Sequence, residues 1–199
     1  GHLRIVACAG SGKTQVLVHR IVGLLNEGVS PRNIIAFTFT EKAAVELKER
    51  VRNAVVEAGL SLNGLVEMFI GTIHGWCLDF LQSSLNKYLK FRVLNEVQTK
   101  LLISRYSRQS GLSTVEYLSG TPLKSHKHDV RKYHEMLNIL REDDINYDEV
   151  PSSLLEALDM YRELLHQHAV FDYSELMHVV VEGFKSNDPE WRNALGNLH

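Results

Sequence analysis

Several things are scarce in this chain, and each scarcity excludes something. Cysteine occurs twice, as Cys8 and Cys77, and neither sits in a Cys-x-x-Cys pair. A zinc ribbon or a disulfide framework is therefore not expected, and two free thiols suit a reducing cytosol. Proline numbers 4 and glycine 13 among 199 residues, which excludes collagenous and linker-like chains. No apolar run approaches the roughly 18 residues needed to span a bilayer, so no membrane partner is expected. No basic stretch followed by an apolar one marks a secretory leader. An excess of one charge is missing too: 22 Lys and Arg face 24 Asp and Glu, a net charge of −2. Small basic nucleic-acid-binding domains have a pI above about 9, so any nucleic-acid site here must be local. What is present is ordinary for a globular protein: 44% hydrophobic and 23% charged residues. At about 150 residues per domain, the length suggests one domain with a modest insertion.

The first third alternates strand and helix signals. Ile5-Val6-Ala7 reads as a short buried strand, followed by a Gly-rich turn and a helix from Lys13 to Asn26 with Leu17, Ile21, Leu24 and Leu25 on its apolar stripe. Gly28 and Pro31 end it. Ile34 to Phe37 is a continuous apolar run, as expected of a parallel strand buried on both faces. Thr40 is placed to cap a second helix, Glu41 to Ala58, with Ala44, Leu47, Val51, Val55 and Ala58 as its stripe. Glu41 lies at the positive end of that helix. Phe69-Ile70 reads as a third strand and Ile73 to Leu85 as a third helix. This β-α order predicts a parallel sheet. From about Asn86 to His168 the spacing is helical and no convincing strand stands out; Phe171 onwards reads as a return to the α/β part, with a helix near Ser174 to Lys185. A basic cluster (Lys124, His126, Lys127, His128, Arg131, Lys132) and an acidic one (Glu142, Asp143, Asp144) lie in the helical stretch. Both read as solvated surface, with a DNA-facing role for the basic cluster as the alternative.

The strongest motif is Ala7-Cys8-Ala9-Gly10-Ser11-Gly12-Lys13-Thr14, a Walker A loop with Ala in first place. Gly10 and Gly12 let the backbone wrap and aim several N–H groups at one anion. The start of the following helix adds partial positive charge. Lys13 can reach the β and γ phosphates, and the Thr14 hydroxyl can coordinate Mg²⁺. The loop predicts a nucleoside triphosphate. The base-reading Asn-Lys-x-Asp of GTPases is absent, since Asn86-Lys87-Tyr88-Leu89 lacks the Asp.

Two further segments occupy the carboxyl ends of the next two strands, where ligands bind in open α/β sheets. They are Thr38-Phe39-Thr40-Glu41-Lys42-Ala43-Ala44 and Gly71-Thr72-Ile73-His74-Gly75-Trp76-Cys77. Each offers hydroxyls for phosphates and an aromatic for base stacking. Singly, each also has a plain structural reading: Phe39 as core, Trp76 as helix packing, His74 as a structural histidine. In this order, with the loop before them, the three motifs resemble the UvrD/Rep/PcrA-like helicases of superfamily 1. In that family the loop reads AGAGSGKT and is followed by L-x-x-R-I-x-x-L, here Leu17 to Leu24; motif Ia reads like TFTNKAA and motif Ib like TFHSFC. This chain departs with Cys8 for Gly, Glu41 for Asn, Ile73 for Phe, Gly75 for Ser and Trp76 for Phe. Phe171-Asp172-Tyr173-Ser174-Glu175-Leu176 resembles the family's YDFxDL segment.

The resemblance implies an α/β fold: a partial RecA-like P-loop NTPase sheet over 1–88, a helical 1B-like insertion over 89–169, and a return to the first domain over 170–199. It implies ATP and Mg²⁺ as cofactors, with Ala7, Cys8, Ala9, Gly10, Ser11, Gly12, Lys13, Thr14, Gln15 and Arg20 at the nucleotide, and Lys13 and Thr14 as its catalytic and metal-holding pair. It implies single-stranded DNA and duplex junctions as partners, contacted by Thr38, Phe39, Thr40, Lys42, Thr72, His74 and Trp76, in a cytoplasmic setting. The family's hydrolytic acids end an apolar strand as Asp-Glu-x-x-Asp, and no such strand occurs in these 199 residues. Gly1-His2 reads as a tag remnant ahead of a mid-strand start. The chain is therefore expected to be an N-terminal piece of an ATP-dependent helicase, unable by itself to turn over ATP at a useful rate and lacking the remainder of its polypeptide. Two other classes stay open at this point: a non-catalytic P-loop nucleotide-binding module, and a small P-loop kinase.

Overall fold

The computed structural model describes residues 4–6, 8, 10, 12–115, 126–143 and 145–196. The chain forms two compact units, 1–76 with 196–199, and 77–195. It is a mixed α/β protein of short parallel ladders and mostly helices.

The first unit holds α1 (Lys13–Asn26), β1 (Ile35–Thr38), α2 (Glu41–Glu57), β2 (Phe69–Thr72) and the start of α3 (Ile73–Ser84). β1 and β2 are parallel and in register from Ile35 opposite Phe69 to Thr38 opposite Thr72, so α2 is the crossover of a β-α-β motif. One core joins these elements. Val18 and Ile21 of α1, Ala44, Leu47, Val51 and Val55 of α2, and Ala36 and Ile70 of the strands are all buried in it. α2 buries the expected stripe up to Val55, while Ala58 falls at the exposed C-cap. The stripe of α1 runs through Val18 rather than Leu17, which is exposed.

Two expectations for the strands fail, for one reason. Residues 4–6 join no ladder, and Val6 is 87% exposed. β1 is covered on one face only: Ala36 points into the core, while Ile35 and Phe37 are each 45% exposed. Among the described residues of this unit the sheet has two strands, with both helices packed through the Ala36–Ile70 face. A strand buried on both faces needs flanking strands and helices on each side. On the uncovered face Phe37, Phe69 and Trp76 meet edge to face, with centroids 6.2 Å (Phe37–Phe69) and 6.1 Å (Phe37–Trp76) apart.

The second unit is helical, around α4 (Glu96–Arg105), α5 (His126–Glu142), α6 (Ser152–Gln167), α7 (Tyr173–Lys185) and α8 (Pro189–Gly196). It also holds a ladder where none was expected: β3 (Arg92–Val93) pairs in parallel with β4 (Val170–Phe171). Two-residue strands show no periodicity, so this pairing has no sequence signature. Ile103, Tyr133, Leu137, Leu158, Tyr161 and Leu165 form the centre of the apolar core. Beside it Asp172 caps α7, accepting from Glu175 N–H at 2.7 Å. Arg141 of α5 grips the same carboxylate with two bonds, 2.8 and 2.9 Å, and Tyr161 of α6 donates to it at 2.6 Å. Burial pushes the Asp172 carboxyl up, but Arg141, Tyr161 and the Glu175 N–H outweigh it and hold its pKa below the usual value. Asp172, part of the segment that resembles YDFxDL, thus fastens α5, α6 and α7 together.

Candidate nucleotide and nucleic-acid interface

Five of the eight residues of the Walker segment, Cys8, Gly10, Gly12, Lys13 and Thr14, are described. Gly10 (φ +77°) and Gly12 (φ +83°) are both left-handed, the conformation that disfavours any side chain with a Cβ. A Cβ at either position would meet nothing within 4 Å, so backbone conformation rather than space calls for glycine. Gly12 is the N-cap of α1 and supplies no side-chain cap, and the first turn carries no acid. The N–H groups and the positive end of the helix are therefore left for an external anion. Lys13 Nζ donates to the Cys8 carbonyl at 2.7 Å, folding the lysine along the loop. Thr14 is exposed beside it. The Gln15 amide meets the His19 ring at 2.8 Å one turn on. Arg20 is not brought to the loop: it lies about two turns along α1, roughly 10 Å by helical rise, with its guanidinium 4.0 Å from Glu27. Ala7, Ala9 and Ser11 lie outside the described residues, as do Lys124 and Asp144 and the side chains of His126, Lys127 and His128.

The two other motifs come together at the carboxyl ends of β1 and β2, opposite each other in register. Thr38 Oγ1 lies 3.0 Å from the Thr40 carbonyl and 3.4 Å from that of Gly71, tying the first loop to the second strand. Thr40 caps α2, accepting from Ala43 N–H at 3.1 Å, as the sequence predicts. Phe39 projects fully into solvent, which rules out its reading as core, and Lys42 is exposed next to Glu41. Thr72 accepts from Gly75 N–H at 3.1 Å at the start of α3, and its hydroxyl donates to Glu41 Oε1 at 2.8 Å. His74 is half-buried, and half-buried Trp76 packs on Phe37. Sequence reasoning missed two participants. Phe37 reads as core from its apolar run, and its alternation with Ala36 is the signal against that. Glu41 reads as a helix-dipole residue and a departure from the family's Asn, and nothing local announces a partner 31 positions away.

The arrangement offers an anion cradle at α1 and a face of hydroxyls, a cation and solvent-exposed aromatic surface at the starts of α2 and α3. No group of three or more His, Cys, Asp or Glu side chains is placed to hold a metal among the described residues. No described helix is long and apolar enough to cross a membrane.

Comparison with known proteins identifies a family. A family model described as the UvrD/REP helicase N-terminal domain matches residues 1–197. A probable DNA helicase II homolog of Mycoplasma capricolum is 29% identical over 201 residues, covering 96% of this chain and 27% of that protein. An ATP-dependent DNA helicase PcrA of Staphylococcus aureus is 35% identical over 121 residues, covering 59% of this chain and 16% of that protein. Its namesake in Staphylococcus epidermidis is 36% identical over 121 residues, with the same coverage. The chain spans about a quarter of the length of the Mycoplasma relative and less of the staphylococcal ones.

Proposed function

The chain belongs to the UvrD/REP helicase N-terminal domain family, and from this premise we infer that it is the ATP- and single-stranded-DNA-binding portion of a cytoplasmic, ATP-dependent DNA helicase. In this reading 1–88 and 170–199 contribute to a RecA-like nucleotide domain, and 89–169 is its helical insertion. ATP binds with its phosphates over Gly10, Gly12 and the first N–H groups of α1. Lys13 leaves the Cys8 carbonyl for the β and γ phosphates. The Thr14 hydroxyl would hold Mg²⁺, which when bound would neutralise phosphate charge. The open, acid-free start of α1 fits an Mg-nucleotide, because a carboxylate in that turn would oppose the phosphates. Thr38, Phe39, Thr40, Lys42, Thr72, His74 and Trp76 form the strand-facing side, with Phe39 and Trp76 as stacking surfaces.

One observation carries this reading. The helix that follows the phosphate loop and the strands and helix that bear the DNA-facing residues share a single core, through Val18, Ile21, Ala36, Ala44 and Ile70. A displacement of α1 on nucleotide binding is therefore felt at the ends of β1 and β2. Strand separation and advance along DNA belong to the complete polypeptide together with its remaining parts. The 199 residues contain no apolar strand ending Asp-Glu-x-x-Asp to complete the hydrolytic site, so slow ATP turnover is the expectation for the chain alone.

The test is equilibrium binding of a fluorescent ATP analogue and of labelled oligo-dT, with phosphate release followed in parallel. Nucleotide binding should need Mg²⁺ and fall at least tenfold in Lys13→Ala, while oligo-dT affinity should fall steeply with salt. Nucleotide binding untouched by Lys13→Ala, or oligo-dT affinity insensitive to salt, refutes the assignment. Robust DNA-stimulated turnover by this chain, abolished in Lys13→Ala, refutes the expectation of slow hydrolysis.

A further inference from the structure

Glu41 is the one acid set among the residues proposed to face DNA, and it is not idle. The Thr72 hydroxyl has one proton to give. That proton goes to Glu41 Oε1 at 2.8 Å, while Thr72 Oγ1 itself accepts the Gly75 N–H at 3.1 Å. A DNA phosphate oxygen carries no proton at neutral pH and can only accept, so it competes with Glu41 for the same hydrogen. The carboxylate sits where two helices begin: Glu41 is the first residue of α2, and Thr72 immediately precedes α3. Both starts carry partial positive charge that draws anions. Gly75 keeps the approach open, since a Cβ there would come within 3.1 Å of Thr72 Oγ1 and 3.8 Å of Glu41 Oε1. Glu41 is solvent-exposed, so an incoming anion reaches it without rearrangement of the core.

We propose that the Glu41 carboxylate is an internal stand-in for a DNA phosphate: it holds the Thr72 hydroxyl in the unbound protein, and a strand gains that hydroxyl only by displacing it. This rests on the reading that these loop ends face single-stranded DNA. Glu41 is then an affinity-setting residue. It weakens the grip on each phosphate and gives Thr72 somewhere to return when the strand leaves, which suits a protein that must release and rebind along a strand.

Anisotropy titrations of labelled oligo-dT across a salt series test this in the chain as it stands. Glu41→Gln keeps an oxygen that accepts from Thr72 but removes the charge. It should bind about three-fold tighter at low salt, the factor for deleting one like charge about 6 Å from a phosphate in water. Its log K against log salt should steepen by up to about 0.7, one more phosphate neutralised on a single strand. The gain should shrink in a Thr72→Val background and return in Thr72→Ser, which keeps the hydroxyl and the helix cap. Unchanged or weaker binding by Glu41→Gln, or an equal gain with and without the Thr72 hydroxyl, overturns the inference while leaving the DNA reading intact. Lys42→Ala reports on that reading separately. If the wild-type chain shows no salt-dependent affinity and Lys42→Ala changes nothing, the DNA reading fails and the inference falls with it.

Discussion

Arg141→Met should strongly destabilise the helical unit. The guanidinium is fully buried and holds Asp172 through two bonds of 2.8 and 2.9 Å, with Glu175 at 3.2 Å beside it. Methionine fills much of the space but leaves the Asp172 carboxylate buried without its cation. Removing one partner of a buried pair costs about 3–5 kcal/mol. Asp172 still keeps the Tyr161 hydroxyl and the Glu175 N–H, and Glu175 keeps Arg162 at 3.2 Å, so the lower end, about 3 kcal/mol, is expected. The pH dependence identifies the mechanism. In the wild type the Asp172 pKa lies below its ordinary value of 3.8, so its stabilisation is fully present above about pH 4 and is lost as pH falls through the lower folded value. In the variant, burial without the guanidinium raises that pKa, so the penalty is relieved as pH falls through the raised value toward 3.8; the difference between the proteins should begin to narrow above about pH 4 and narrow further below it, where the wild type loses its own stabilisation. Each unit contains one of the two tryptophans, Trp76 in the first and Trp191 in the second. Urea unfolding followed by Trp191 fluorescence in a Trp76→Phe background therefore reports on the helical unit. A loss below about 1 kcal/mol, or a loss independent of pH, refutes the assignment of this pair as the fastening of α5 to α7.

Three other changes test separate parts of the molecule. Gly12→Ala forces a Cβ into φ +83°, which should cost about 1–2 kcal/mol and weaken nucleotide binding further, read by thermal melting and analogue titration. Phe39→Ala should leave stability unchanged, because the ring is fully exposed, yet lose about 1–3 kcal/mol of oligo-dT affinity if one base stacks on it; unaltered affinity removes Phe39 from the interface. Iodoacetamide at pH 8 should label exposed Cys8 and spare Cys77, whose thiol is buried and pushed up to about 11, until urea unfolds the chain; mass spectrometry of peptides separates the two.

Much of the candidate site was legible because its determinants are local. A glycine that must take positive φ, a lysine and a threonine at a helix start, and a threonine cap with its helix stripe all act within a few residues of one another. Such patterns survive in any packing, which is why the bounds of α1 and the Thr40 cap were read correctly. Leu17 and Ala58 are small local departures at the edges of helix stripes; the larger errors are non-local. Val6 and Phe37 were assigned to a covered sheet because their apolarity is local information, whereas coverage depends on which strands and helices lie alongside. The Arg92–Val93 ladder depends on Val170–Phe171, far along the chain, and two residues carry no period.

The sequence by itself determined a Walker A motif with its glycines and helix start, the β-α-β motif that follows it and the family resemblance, since these rest on residue type at short fixed spacing. The tertiary structure alone decided the roles of two acids. Asp172, which the sequence places only within a segment resembling the family's YDFxDL, is a buried cap gripped by an arginine 31 positions earlier. Glu41, which looked like an ordinary helix-start residue, holds the hydroxyl of Thr72, 31 positions later. A carboxylate's chemistry is set by the donors and charges around it, and those are assembled only when distant segments meet.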